Sequence, residues 1–499
     1  MSRPSSPNTP GVVVEFIEQQ LIGPVSDVLY SYILVYLLVA VGIYFTIRTR
    51  FIQIRYFKRM LGQLTHSRTH DEGISSFQAF CVGLASRVGT GNIAGVAIAL
   101  TIGGPGAIFW MWVVASIGMA TALIEATLGQ LFKVRADDGS FRGGPAFYIQ
   151  RGLGSRTGGI IFAVLLIFTF GIAFNMVQAN AISAVLSTSH DIEIGWTTVC
   201  LLVLSAPVLF GGVKRVARIA EIVLPLMAVA YTVLAMVIVA ININYLPDVL
   251  GQIVGGAFGL TELAGGFAGG IAAALLNGVK RGLFSNEAGM GSAPNVAATA
   301  TVSHPVKQGL IQSLGVFVDT MIICTATAFI ILVSGPSVYD PATPTRVEGA
   351  TLTQAAIAEG LGSWTVSLVT VLVFVFAYSS VLGNYVYAEI NLFFLGARGM
   401  TINVFRVFVL MAIAVGALSE LTLVWTLADV AMGLMALVNL VAICLLGKWA
   451  FAAIRDFHRQ TDAGRDPVFI ADEAGLPGTL DGDIWVRRVA GPAAVGRDG

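Results

Sequence analysis

Charged residues are scarce in this chain of 499 residues, in which Asp, Glu, Lys and Arg together occupy 12% of the positions and apolar residues occupy 56%. A soluble domain has about 25% charged residues, so the composition excludes an ordinary soluble protein. The formal net charge is zero, which leaves no overall electrostatic attraction to nucleic acid. Continuous apolar runs of about twenty residues have the length that crosses a bilayer. We therefore predict an all-α polytopic protein embedded in the lipid bilayer.

Catalytic and metal-binding motifs are also missing. The four cysteines, Cys81, Cys200, Cys324 and Cys444, lie inside apolar segments and do not have the spacing of metal ligands. The sequence has no His-Glu-x-x-His motif and no recognisable Ser/His/Asp set among its five histidines. We expect the cysteines to serve packing and the protein not to be an enzyme.

Eleven apolar runs can be distinguished, which predicts about 11 transmembrane helices. The runs are 27–47, 76–102, 106–132, 158–187, 195–212, 219–241, 264–279, 308–334, 364–395, 403–419 and 421–446. Cationic residues follow alternate runs, beginning with Arg48 after the first and including Lys280 and Arg281 in a loop after the seventh. By the positive-inside rule these loops are cytoplasmic. This pattern predicts an N-terminus outside and a C-terminus in the cytoplasm, in a cell (inner or plasma) membrane.

Removal of the first run leaves two groups of five helices with opposite orientation. We predict an extracellular or periplasmic segment 1–26, an extra helix 27–47, a first five-helix repeat 76–241, a second repeat 248–446 and a cytoplasmic tail 447–499. The first helix of each group adjoins a break rich in glycine and polar residues. Paired interruptions in two inverted halves indicate a secondary transporter with its site near the middle of the membrane.

The break in the second apolar run provides candidate ligands of two kinds. An interrupted helix exposes N–H groups at the start of its second half, so Thr90 and Gly91 are candidates for binding a carboxylate. Carbonyl groups near Ala85 and Val88 suit a small hard cation, and the amide oxygen of Asn92 adds a ligand. Oxygen ligands favour sodium over a transition metal.

Arg87 is an unusual residue at this depth, because an arginine in the membrane needs a polar cavity or an acidic partner. Asp319 is the first candidate for that partner and also a candidate sodium ligand, and Glu287 is the second candidate for the partner. Two other interpretations remain open. Arg87 either binds the substrate carboxylate directly or extends to the cytoplasmic face.

Further polar and aromatic residues are candidates for the same site. Ser379 and Ser380 are adjacent hydroxyls in an apolar helix, where they either complete a sodium site or bond to carbonyls of their own helix. Gln178 is the candidate for a wall of the substrate pocket, since a buried amide needs partners. Phe174 and Trp425 are candidates for shaping that pocket.

Several long motifs resemble the alanine or glycine:cation symporter family, also known as the sodium:alanine symporter family. The motifs are Val88-Gly-Thr-Gly-Asn-Ile-Ala-Gly-Val, Gly103-Gly-Pro-Gly-Ala-Ile-Phe-Trp-Met-Trp, Gly282-Leu-Phe-Ser-Asn-Glu-Ala-Gly-Met-Gly-Ser-Ala-Pro, Asp319-Thr with Cys324-Thr-Ala-Thr-Ala-Phe, and Ser379-Ser-Val-Leu-Gly-Asn-Tyr. The resemblance covers about residues 27–450. It implies a fold similar to the bacterial leucine transporter, with a 5+5 inverted repeat after one extra N-terminal helix.

The resemblance also implies a function, namely sodium-coupled and sometimes proton-coupled uptake of small neutral amino acids such as alanine and glycine by alternating access. Thr90 and Gly91 would hold the substrate carboxylate, and Asn92 would help to bind a sodium ion beside it. The two serines at 379 and 380, with carbonyls near Ala85 and Val88, would hold a second sodium ion, and Gln178 would line the pocket. The alternatives are a proton-coupled symporter and an amino-acid sensor that does not transport.

Overall fold

Long helices make up nearly all of the fold. The computed structural model describes residues 20, 22–65, 74–137, 139–211, 213–259, 270–341 and 349–486. The helices are α1 Gly23–Arg48, α2 Ile52–Arg55, α3 Phe57–Thr65, α4 Ser76–Arg87, α5 Gly91–Gly103, α6 Gly106–Leu131, α7 Pro145–Leu153, α8 Arg156–His190, α9 Ile194–Leu209, α10 Val213–Ile241, α11 Leu246–Ala257, α12 Gly270–Asn286, α13 Ala293–Thr299, α14 Pro305–Val333, α15 Ala350–Leu361, α16 Thr365–Phe394, α17 Met400–Leu418 and α18 Leu421–Asp462. The strands β1 Val134–Arg135 and β2 Phe141–Arg142 form a short antiparallel hairpin.

The described residues include eight helices that are long and apolar enough to cross a membrane. A ninth crossing is obtained if α4 and α5, which are bent by 48° at the break between them, form one span. These helices confirm the prediction of a polytopic helical membrane protein. Two of the predicted runs do not add to this count: α9 is shorter, and residues 260–269, at the start of the seventh run, lie outside the described residues.

Helix α6 forms the centre of the bundle and packs against α1, α12 and α14. Its residues from Gly118 to Leu131 are all buried, which agrees with a run that is apolar on every side rather than on one stripe. The sequence predicted this helix at 106–132, within one residue of the observed end. The central position of α6 lets it support both α12 and α14, which contribute side chains to the site described below.

The seventh helix extends further than predicted, and the prediction that Lys280 and Arg281 lie in a cytoplasmic loop is wrong. Both residues lie in α12 and are buried. Arg281 forms an ion pair with Asp429 of α18 and lies over the Trp425 ring at 4.6 Å, while the Lys280 amine is 3.2 Å from the Ser26 hydroxyl at the start of α1. Tertiary partners of this kind make charged residues tolerable inside a membrane bundle.

The C-terminal segment is more ordered than its polar composition suggests. Helix α18 continues to Asp462, so the predicted boundary at residue 447 falls inside a helix. Beyond it, the Phe469 amide donates to the Ser303 carbonyl at 2.8 Å, and the Trp485 indole donates to the Gln130 carbonyl at 3.2 Å. The chain up to residue 486 therefore folds back onto the ends of the bundle helices, whereas residues 1–19 and 487–499 of the predicted terminal segments lie outside the described part.

Candidate functional site

The two predicted breaks lie side by side in the structure. The first separates α4 from α5 at residues 88–90, and the second separates α12 from α13 at residues 287–292. Gly91 is packed so closely on Phe284 that a Cβ atom at this position would lie 2.9 Å from the ring. Across the same contact, Asn92 Nδ2 donates to Ser285 Oγ at 3.1 Å. The interrupted helices thus place their free backbone groups in one region of the bundle.

One of the two N–H groups predicted to bind a carboxylate, that of Thr90, is paired with a side-chain oxygen, and so is the neighbouring amide of Gly89. The Thr90 amide donates to Gln178 Oε1 at 3.2 Å, and the Gly89 amide donates to Asn92 Oδ1 at 2.9 Å. The Thr90 hydroxyl is buried and has no hydrogen-bond partner in the described part of the chain. Gln178 therefore occupies the place in which the start of α5 attracts an anion.

Aromatic rings close one side of this region. The Phe284 ring lies between those of Phe174 and Trp425, with its centroid 4.5 Å from each and its plane tilted to both. Phe174 and Trp425, both predicted as pocket residues, are therefore linked through a ring that the sequence reasoning missed. Phe284 belongs to the quoted 282–294 motif, which was the available signal for it. The three rings therefore pack next to Gly91, with Phe284 in direct contact with it.

Asp319 lies on the other side of the break, where it collects hydrogen bonds. Asn92 Nδ2 donates to Asp319 Oδ1 at 2.6 Å, and the hydroxyls of Ser285 and Thr320 donate to Oδ2 at 2.6 and 2.9 Å. A carboxylate with neighbouring hydroxyl oxygens is a donor set that fits a hard cation such as sodium. The structure brings Asn92 and Asp319 together as candidate ligands, and it adds Ser285 and Thr320, which sequence reasoning did not select.

The two adjacent serines of α16 have different surroundings. Ser380 Oγ is 2.9 Å from the Ala85 carbonyl of α4 and 3.1 Å from the Phe376 carbonyl of its own helix. Ser379 Oγ is 2.9 Å from the same Phe376 carbonyl, and the described residues give it no bond to α4. Val88 follows the last turn of α4, where its amide donates to the Leu84 carbonyl at 2.7 Å. The structure therefore joins Ser380 with Ala85 but leaves Ser379 bonded within α16.

Arg87 is 2% exposed, and among the described residues it has no carboxylate partner in a direct ion pair, which was one of its predicted interpretations. Its Nη1 atom donates to the Gln312 carbonyl of α14 at 3.3 Å, and its Nε and Nη2 atoms have no hydrogen-bond partner among the described residues. The guanidinium lies against Gly315, where a Cβ atom would overlap Nη1. Arg87 thus reaches α14, and its guanidinium is buried there rather than extended into solvent in the conformation observed.

Comparison with known proteins agrees with these features. A family model described as the sodium:alanine symporter family matches residues 14–471. The amino-acid carrier protein AlsT of Bacillus subtilis is 46% identical over 472 residues, covering 95% of this chain and 98% of the relative. The probable sodium/glutamine symporter GlnT of the same organism is 48% identical, covering 91% and 94%. The putative sodium/proton-dependent alanine carrier protein YrbD, also from Bacillus subtilis, is 39% identical, covering 93% and 97%.

These matches extend over nearly the whole length of both this chain and its relatives, so they include every helix that contributes to the site. They confirm the resemblance that the sequence motifs indicated, and with the long apolar helices they identify a multi-pass membrane carrier. The chain belongs to the sodium:alanine symporter family.

Proposed function

We propose that this protein is a secondary active transporter that carries small neutral amino acids, such as alanine and glycine, into the cell together with sodium. The observation that supports the proposal most directly is the contact between two interrupted helices, with N–H groups on one side of the break and the Asp319 oxygen cluster on the other. An anion site next to a cation site is the arrangement that a zwitterionic amino acid and a sodium ion require.

The substrate carboxylate binds the amides of Thr90 and Gly91 after the Gln178 side chain has moved aside. The 3.2 Å bond from the Thr90 amide to Gln178 supports this role, because it shows an oxygen acceptor already in that position. The rings of Phe174, Phe284 and Trp425 limit the side chain of the substrate. The names of the relatives include both alanine and glutamine, and the tight packing around Gly91 favours the smaller of these for this chain.

Two groups of residues are proposed to hold sodium. Asp319 and Asn92, with Ser285 and Thr320, form the first, in which Asn92 turns its Oδ1 atom from the Gly89 amide toward the ion. Ser379 and Ser380, with the carbonyls of Ala85 and Val88, form the second. Since the second group joins α4 to α16, an ion bound there resists separation of these helices. Sodium coupling follows if transport requires that separation.

The proposed architecture is a leucine-transporter-like 5+5 inverted repeat over residues 76–241 and 248–446, preceded by the extra helix α1. The N-terminus is proposed to lie outside and the C-terminus in the cytoplasm, as the cationic loops suggest. Alternating access then consists of rocking α4–α6 and α12–α14 against the other helices around a fixed central site. Arg87 is the last residue of α4 and bonds to α14, and both helices belong to the moving group, so we assign it a structural role in joining them.

The decisive experiment is uptake of labelled amino acids by proteoliposomes that contain the purified protein. We expect an inward sodium gradient to drive accumulation of alanine and glycine, with less serine and little glutamine. Asp319→Asn should abolish sodium-dependent uptake, whereas Asp472→Asn, a matched change at an exposed carboxylate, should not. Sodium-dependent binding without accumulation would replace the transporter with a sensor, and accumulation independent of sodium would refute sodium coupling.

A further inference from the structure

The C-terminal segment lies across helices that the proposed function assigns to different groups. We call residues 463–486, which follow α18 directly, the strap. Its contacts reach the end of α6 and the start of α14, which belong to the group proposed to move, and α18, which belongs to the other group. The proposed substrate and sodium sites use no residue of the strap. A segment in this position restrains the movement only if it is bound to both groups.

The strap is bound to α18 by its backbone and by close packing. Gln460 of α18 forms two hydrogen bonds with the backbone of Val468: its Nε2 atom donates to the Val468 carbonyl, and the Val468 amide donates to its Oε1 atom, both at 2.9 Å. Farther along the strap, Gly478 packs so closely on the Trp449 ring that a Cβ atom would lie 3.2 Å from it. Both halves of the strap therefore contact the group to which α18 belongs.

The first half of the strap is also bound to the start of α14. The Phe469 amide donates to the Ser303 carbonyl at 2.8 Å, and the Ser303 hydroxyl donates to the Pro467 carbonyl at 3.0 Å. In the first turn of α14, Lys307 Nζ is 2.6 Å from Asp466 Oδ1. These bonds join the moving group to the strap only a few residues after the end of α18.

The second half of the strap returns to the end of α6 and packs against the first half. The Trp485 indole donates to the Gln130 carbonyl at 3.2 Å, and its ring lies 4.8 Å from Lys133 Nζ. The Trp485 ring meets the Phe469 ring edge to face at 5.4 Å, and the Trp485 carbonyl accepts from the Ala471 amide at 2.9 Å. Both aromatic side chains are buried. The two halves thus form one unit that holds α6 and α14 together.

Phe469 also covers a direct contact between the two groups. His304 Nε2, at the start of α14, is 3.3 Å from Asp456 Oδ2 of α18, and both residues are buried. The Phe469 ring packs edge to face on the His304 imidazole, with centroids 5.1 Å apart. Exclusion of water strengthens a polar contact of this kind. Removal of the Phe469 ring therefore weakens the link between α14 and α18 twice, at the strap and beneath it.

The covalent connection limits how far the strap can follow a moving helix. Residues 463–465 are the only ones between Asp462, the last residue of α18, and Asp466, and this length of chain spans at most about 14 Å when fully extended. We propose that the strap is an autoinhibitory restraint: while Phe469 and Trp485 are bound, α6 and α14 are held against α18, and opening of the central site on this side requires their release. This inference rests on the proposed function, which defines the helices that move.

The first test measures opening of the central site without transport. Cys324 is 2% exposed, and its thiol lies 3.1 Å from Ser285 Oγ inside the proposed site. N-ethylmaleimide should alkylate this thiol only when the site opens, and peptide mass spectrometry identifies the modified cysteine. We expect Phe469→Ala to raise the alkylation rate of Cys324 at least about tenfold, because a buried aromatic contact is lost. The matched variant Val468→Ala, whose side chain is 52% exposed, should leave the rate unchanged.

The second test strengthens the restraint in the wild-type protein and decides the question if Phe469→Ala does not fold. A water-soluble carbodiimide joins the ion-paired side chains of Lys307 and Asp466 through an amide bond. The cross-linked protein should show slower alkylation of Cys324 and should take up little alanine in proteoliposomes. Lys307→Arg is the control, because it keeps the ion pair, does not form the amide and undergoes the same side reactions at other carboxylates.

Uptake by proteoliposomes then connects the restraint with transport, and Phe469→Ala should take up alanine faster than the wild type. Equal alkylation rates in Phe469→Ala and the wild type, or equal effects of carbodiimide on the wild type and Lys307→Arg, would overturn the proposal. Faster alkylation together with slower uptake would make the strap a part of the active fold and would equally refute autoinhibition. If the wild type takes up no amino acid while the alkylation rates change as expected, the proposed function fails and the restraint on opening stands.

Discussion

Gly89 is the residue at which the break is most sensitive to added volume. A Cβ atom at this position would overlap Ser380 Oγ and would lie 3.1 Å from Ser380 Cβ and 3.2 Å from Gln178 Oε1. The backbone of Gly89 does not have a positive φ, so alanine is permitted by conformation and excluded by packing alone. Gly89→Ala therefore measures how closely α4 and α16 approach each other.

The expected magnitude comes from two contributions. Overpacking by one methyl group costs about 1–3 kcal/mol. If Ser380 rotates away instead, it gives up its 2.9 Å bond to the Ala85 carbonyl, which costs about 1 kcal/mol. We expect Gly89→Ala to destabilise the protein by about 2 kcal/mol and to lower the unfolding temperature of the purified protein in detergent.

A double variant separates overlap from other effects. Ser380→Ala removes the overlapping atom. The double variant Gly89→Ala with Ser380→Ala should therefore lose less stability than the sum of the losses in the two single variants, by at least about 1 kcal/mol. Gly62→Ala is the control, because a Cβ atom at Gly62 meets nothing within 4 Å. Wild-type stability of Gly89→Ala, or additivity of the two substitutions, would refute the close approach of α4 and α16.

Three further predictions concern charge and the C-terminal segment. Arg87→Met should abolish alanine uptake while Arg87→Lys partly preserves it, and wild-type uptake by the Met variant would contradict the proposed role of this charge in joining α4 to α14. Burial lowers the pKa of Lys133 from 10.5 to about 7, so between these pH values the unfolded chain binds a proton that the folded protein does not. The stability of the wild type relative to Lys133→Met should therefore rise with pH across this window. If the stabilities of the two proteins change with pH in parallel, the shift is refuted. Trp485→Ala should expose residues 463–486 to protease, because the bond to the Gln130 carbonyl is lost. Val486→Ala is the control at an exposed site. Equal protection of the two variants from protease would argue against packing of residues 463–486 on the helix bundle.

Sequence reasoning succeeded where one local property decides the structure. The run at 158–187 lies within α8, because a long apolar segment in a bilayer has to satisfy its backbone as a helix. It failed at the end of α12, where cationic residues suggested a loop. The ion pair of Arg281 with Asp429 is formed between segments 148 residues apart, and no local pattern indicates such a partner.

The residues of the candidate site were likewise predictable from the sequence only in part. Gln178 and Asp319 could be selected because polar groups in apolar helices need partners, and Thr90 because an interrupted helix exposes N–H groups. The sequence could not indicate which groups would meet. Asn384 was present in a quoted motif without a role, and its importance depends on its contact with Ser86 of another helix. Ser86 contacts both Asn384 and Glu287, and only the folded structure brings these three distant segments together.

The first broken helix contacts two buried acids, one from each side of the break. Ser86 lies before the break and faces Glu287, whereas Asn92 lies after it and donates to Asp319. Any movement that separates the two halves of this helix from α12 and α14 disturbs both contacts at once. A sodium ion held at Asp319 should therefore favour the arrangement of the break in which both contacts are kept.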